Sequence, residues 1–70
     1  MKVHYRQVFE ELPGGRFRVI HPINVGAGFL SQGALVERGG FCGGVPISTL
    51  IGGELEVDDV EGTYVVKGLF

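Results

Sequence analysis

Polar and apolar residues alternate at both ends of this 70-residue chain, and the alternation breaks down in the middle. Over residues 3–9, Val3, Tyr5 and Phe9 fall on one side, with His4 and Arg6 on the other. The period of two resumes at Arg16–His21, where Phe17 and Val19 oppose Arg16 and Arg18. Successive side chains of a strand point to opposite faces, so each run predicts a half-buried strand. Between them, Glu11-Leu12-Pro13-Gly14-Gly15 supplies turn residues, proline with a fixed φ and glycine with a free one. The expected hairpin sets Glu10 opposite Arg16, Phe9 opposite Phe17 and Gln7 opposite Val19. That register keeps the aromatics on one face and pairs opposite charges.

Pro22 ends the second strand, because it cannot donate to a ladder. Residues 27–38 admit two readings. Ala27, Leu30, Ala34 and Leu35 could form a helical stripe closed by Gly39. Gly28 and Gly33, however, each cost about 1 kcal/mol inside a helix. Two short strands, Gly28–Leu30 and Ala34–Arg38, are therefore expected instead. GGFCGG at 39–44 reads as a short apolar strand between two turns, and Pro46 to Ile51 as one helical turn with glycine after it. The chain closes on a second hairpin. Leu55 and Val57 alternate with Glu54, Glu56 and Asp58, and a turn at 59–62 leads into Thr63–Phe70. That last strand is apolar on both faces, with Tyr64, Val66 and Phe70 on one and Val65 and Leu69 on the other. A strand of this kind is normally covered on both sides. The pattern as a whole predicts a single small domain over 1–70, mainly β, a barrel or roll of about five strands with one helical turn near 46–51.

Composition sharpens this picture. Between Arg18 and Glu54 the only charges are Glu37 and Arg38, while nine glycines fall in the same stretch. The chain is 44% hydrophobic, and a domain of this length buries only about 60% of its unfolded surface. One cysteine, Cys42, allows no disulfide within the chain and no paired-cysteine zinc site. An association between copies is the simplest way to bury the excess. The start, MKVHYRQVFEEL, has no apolar run of the kind a leader carries. Residues 19–36 are uncharged but contain His21, Pro22, Asn24, Ser31, Gln32 and glycines, too polar and broken for a lipid-facing helix. A soluble protein is expected, and the lone thiol suits a reducing cytoplasm.

Candidate chemistry is sparse. Gly26-Ala27-Gly28 resembles half of a dinucleotide fingerprint, but its third glycine position is Ser31 and the chain is too short for βαβ units. Cys42 between glycine pairs, with His4 or His21 as base, could be imagined as a nucleophile. Nothing in the spacing supplies a group to orient the base, and Phe41 beside the thiol favours burial. His4, His21, Cys42, Asp58 and Asp59 lack metal-ligand spacing. No catalytic residue, cofactor or metal is therefore expected.

Charge is uneven although the net value is only −2. His4, Arg6, Arg16 and Arg18 share a face of the first hairpin, while Glu54, Glu56 and Asp58 form an acidic row on the second. Small barrels bind single-stranded nucleic acid on such basic faces, with aromatics interleaved for stacking. Here Tyr5, Phe9 and Phe17 lie on the opposite face, so the two rows are expected to neutralise each other.

The expected function is a non-enzymatic interaction or assembly module. It would act as a homodimer or higher oligomer, or bind another protein, through the uncharged middle and the C-terminal strand. Val65, Leu69 and Phe70 are the interface candidates, with Phe29 and Leu30 behind them. Two alternatives stand beside it: a nucleic-acid-binding barrel using the basic face, and a small-molecule or thiol-dependent pocket around Cys42.

Overall fold

Alternation turns into burial almost residue by residue in the computed structural model, which describes residues 1–69 and, of Leu69, the backbone. In chain order the strands among the described residues are β1 (Lys2–His4), β2 (Phe9–Leu12), β3 (Arg16–Val19), β4 (Ile23–Val25), β5 (Gly28–Leu30), β6 (Leu35–Glu37), β7 (Phe41–Cys42), β8 (Val45–Pro46), β9 (Glu54–Val60) and β10 (Thr63–Leu69). One helical turn, α1 (Ile47–Leu50), follows β8. The mainly β class and the turn near 46–51 are as the pattern predicts. The strands form a five-stranded sheet ordered β1-β9-β10-β4-β5, a three-stranded sheet β2-β3-β6 and the small ribbon β7-β8.

The core is where the alternating faces meet. Phe9, Phe17 and Val19 from the three-stranded sheet close on Val3, Ile23, Val25, Leu55 and Val57 from the five-stranded one. Val8, Cys42, Ile47 and Leu50 complete it; Ile47 and Leu50, three residues apart on a single turn, share a face and are both buried. Residues 27–38 form β5 and β6 rather than a helix, as the two internal glycines imply. The segment before them adds a strand that Pro22 had hidden from the sequence pattern. β4 runs parallel to β10, with Tyr64 beside Ile23, while β10 runs antiparallel to β9.

Two expectations about the first hairpin are corrected. Residues 3–9 are not one strand. His4 Nδ1 accepts from the Arg6 N–H (3.2 Å) and Gln7 Oε1 accepts from the His4 N–H (2.7 Å). These reciprocal caps close a 3-10 turn over Tyr5–Gln7. The chain therefore leaves the five-stranded sheet after β1 and enters the three-stranded one at β2. The register also differs: Phe9 lies opposite Val19, Glu10 opposite Arg18 and Leu12 opposite Arg16. The loop is three residues, not five, which admits Glu11 and Leu12 to the ladder. A shift of two leaves every side chain on its expected face. Phe9 and Phe17 still meet, now diagonally and edge-on, with ring centroids 6.5 Å apart at 77°.

The second hairpin turns through Glu61 (φ +54) and Gly62 (φ +85), the pattern of a type I′ turn. Glu61 is the one non-glycine residue with positive φ among the described residues. Asparagine tolerates this region far better than glutamate. Glu61→Asn is expected to stabilise the protein by about 0.5–1 kcal/mol, a rise of roughly 2–8 °C in thermal midpoint for a domain this size. A midpoint that stays level or falls in a calorimetric scan would contradict this account of the turn.

Candidate functional site

Two cross-strand ion pairs tie down part of the surface charge. Arg18 donates to Glu10 across the β2-β3 ladder at 2.9 Å, with both side chains half exposed. Arg16 lies opposite Glu37 on β6. His4 belongs to the other sheet, opposite Glu54. Arg6 sits on the 3-10 turn, where its Nε–H donates to Tyr5 Oη (3.2 Å) and its guanidinium lies 5.7 Å from the Tyr5 ring centre. Hydrogen bonding to Tyr5 raises the Arg6 pKa further, so this side chain is charged at any working pH. Arg16 and Arg18 thus share a face of β3, while His4 and Arg6 come from separate elements. Within one chain the acidic row on β9 faces His4 of the basic row through Glu54 but does not meet Arg16 and Arg18. Glu56 lies opposite Lys2 on β1, and Asp58 pairs with Lys67 of β10 at 3.4 Å. The reason is topological: β9 is flanked by β1 and β10, and β3 by β2 and β6.

Cys42 is buried in the core, and the loss of solvent pushes its thiol pKa up. Both histidines are engaged elsewhere. The His21 ring stacks on Tyr64 at 3.7 Å and 11°, with Nδ1 2.9 Å from the Pro22 carbonyl oxygen. A carbonyl only accepts, so His21 carries its proton on Nδ1 at that contact. His4 Nδ1 takes the Arg6 amide. No group of three or more His, Cys, Asp or Glu able to hold a metal occurs among the described residues.

The raised thiol pKa has a consequence with a definite sign. The folded state favours the neutral thiol. The associated stability is complete below the unfolded thiol pKa, about 8.5, and is lost as pH rises through the folded value. Denaturant titrations are expected to show wild type losing stability relative to Cys42→Ala only above about pH 8.5. A gap between the two proteins that holds constant to about pH 10 would show the thiol to be solvated.

What stands out on the surface is apolar. Phe29 on β5 is 57% exposed, Leu35 on β6 62% and Phe41 on β7 71%. All three lie in the uncharged middle of the chain. β5 and β7 abut, because Gly28 lies against Cys42 and Gly43, so Phe29 and Phe41 project from neighbouring segments. Of the interface residues expected from sequence, Phe29 is exposed, whereas Leu30 is half-buried and packs on the core. Val65 is half-buried between β9 and β4 neighbours. The side chain of Leu69 and all of Phe70 lie outside the described residues. Leu35 and Phe41 are not among the residues expected from sequence, although the alternation Leu35-Val36-Glu37 already places Leu35 with the exposed Glu37.

Two open clefts flank the three-stranded sheet. One, of about 350 Å³, is lined by Tyr5, Arg6, Phe9, Glu10, Glu11 and Ile20 along β2. The other, of about 300 Å³, is lined by Arg16, Leu35, Val36 and Glu37 along β6. No helix among the described residues is long and apolar enough to cross a membrane. Set against known protein families, curated proteins and solved structures, the chain finds no match in any of the three.

Proposed function

We propose that this protein is a non-enzymatic assembly module that works as a homo-oligomer, with its contacts made by the uncharged, glycine-rich middle. The observation that carries the reading is the exposure of Phe29, Leu35 and Phe41 on three short strands of that segment. Fully burying a side chain of this kind stabilises by about 1.5–3 kcal/mol. A small domain whose own core supplies only about 3–5 kcal/mol gains a comparable amount by covering them. Val65, with Leu69 and Phe70 as expected from the sequence, belongs to the same proposal as a secondary contact.

Sedimentation velocity over a roughly hundredfold range of concentration tests it. The expected result is a mass that rises above that of one chain as concentration increases. A monomer throughout, in low and in high salt, would remove the basis for the reading.

A further inference from the structure

The three-stranded sheet ends at β6, and the backbone of that strand can be read in detail. Val19 N–H donates to Ala34 O (2.8 Å) and Arg38 N–H to Gly15 O (3.1 Å). Together with the pairing of Phe17 with Val36, these bonds set the phase of the antiparallel ladder. Val36 turns its N–H and C=O toward β3. Leu35 and Glu37 turn theirs outward, along the open cleft that Arg16, Leu35, Val36 and Glu37 line; the Glu37 carbonyl already accepts from Gly40 N–H (2.9 Å) and keeps its second lone pair for a further donor.

We propose that two copies of the chain join through β6, antiparallel and centred on Val36, to make a continuous six-stranded sheet. The proposal rests on the homo-oligomeric reading above and names one contact of it, at the Leu35 strand; Phe29 and Phe41 lie on other strands. In this register Leu35 of one copy exchanges both main-chain hydrogen bonds with Glu37 of the other, and the twofold axis repeats the exchange. The exposed face then carries a row in which Glu10, Arg18, Leu35, Glu37 of the second copy and Arg16 of the second copy follow one another. Along each row no like charges adjoin, each Leu35 is flanked by the stems of Arg18 and the second copy's Glu37, and the two Glu37 residues lie diagonally, about 7–8 Å apart. Val36 meets Val36 on the core side.

The other edges are less suited to a second copy. On β2, the bond from Ile20 N–H to Val8 O (2.7 Å) fixes the phase so that Phe9 and Glu11 face outward. Self-pairing there would set Glu10 against Glu10, which is unfavourable. On β1 the outward His4 N–H is already taken by Gln7 Oε1. On β5 only Phe29 faces outward, and the strand abuts β7. Exposed edges are ordinarily blunted by charge, capping or cover. β6 carries one charge, Glu37, which lies opposite Arg16 of its own chain and, in this register, beside the apolar Leu35 of the second copy.

Engineered thiols and a proline test the contact. In a Cys42→Ser background, Val36→Cys is expected to oxidise in air to a disulfide-linked dimer. The two Val36 Cα atoms would form a non-hydrogen-bonded pair about 4.5 Å apart, within disulfide reach. Leu35→Cys places its copies diagonally, about 7–8 Å apart, and is expected to link at least tenfold more slowly. Glu37→Pro removes an outward N–H that β3 does not use. It is expected to raise the dimer dissociation constant at least tenfold with an unchanged far-UV spectrum, while Glu37→Gln changes it less than threefold. If Glu37→Pro fails to fold, the two thiol variants decide. A dimer that ignores Glu37→Pro, or that crosslinks in the Leu35→Cys variant and not in Val36→Cys, overturns the β6 contact and leaves the oligomeric reading standing. A native chain that remains monomeric overturns both.

Discussion

Phe17→Ala is expected to leave this protein largely unfolded at 25 °C. Phe17 is fully buried at the centre of β3, meets Phe9 edge-on and lies under the Arg38 guanidinium, 5.3 Å from its ring centre. Truncating a buried phenylalanine costs about 3–5 kcal/mol, the transfer of its ring plus the cavity left behind. A single core in a chain of this length supplies about the same amount in total. Loss of the cooperative thermal transition and collapse of amide dispersion in a proton spectrum are the expected signs. Phe17→Leu, which keeps most of the volume, is expected to remain folded at a cost of about 1–1.5 kcal/mol. A cooperative Phe17→Ala transition within about 5 °C of wild type would mean that the core is held elsewhere.

Gly43→Ala has the second largest expected effect, and for a different reason. The β7-β8 turn runs through Gly43 (φ +58) and Gly44 (φ +82). Left-handed backbone costs a residue with a Cβ about 1–2 kcal/mol at either position. The surroundings of the two differ. A Cβ on Gly44 would meet nothing within 4 Å, whereas one on Gly43 would overlap the Val25 carbonyl oxygen and lie 2.6 Å from Gly28 N. The β4-β5 and β7-β8 turns touch backbone to backbone, so neither has a flexible side chain to move aside. Crowding of this kind adds about 1–3 kcal/mol. Urea midpoints are therefore expected to fall in the order wild type, Gly44→Ala, Gly43→Ala. Gly28→Ala, crowded by Gly43 N at 2.5 Å and Cys42 Sγ at 2.7 Å without a positive φ, isolates the contact from the backbone cost. Equal midpoints for Gly43→Ala and Gly44→Ala would show that the turns can part without loss.

These two effects mark two kinds of legibility. Phe17 was readable as core from its neighbours alone, because Arg16 and Arg18 on either side force it to the opposite face. The second hairpin was readable in the same way, through Leu55, Val57 and the glycine at 62. The crowding at Gly43 was not, since it depends on a strand more than a dozen residues away. The same limit explains the hairpin register. A shift of two preserves every face, so alternation cannot distinguish Phe9 opposite Phe17 from Phe9 opposite Val19. The break at Tyr5–Gln7 was hidden because His4 and Gln7 read equally well as strand residues. Only their reciprocal bonds show that the chain changes sheets there.

The candidate surface divides similarly. The uncharged middle announced an unusual segment, and Phe29 was picked out from it. Leu35 was legible too, two residues before Glu37 on the same face, whereas Phe41 needed the fold, because exposure of an apolar residue depends on what happens to lie above it.

Local pattern, then, was enough to establish a mainly β chain, its two hairpins, its helical turn and the inward faces of β3 and β9. Those properties follow from a period of two and from the dihedral limits of proline and glycine, which act over a few residues. Tertiary structure alone decided which strands adjoin, which carboxylate answers which arginine, where two turns must be bare of side chains and which edge stays open at β6. Each of those is a contact between residues far apart along the chain, and burial is a property of the space they enclose together.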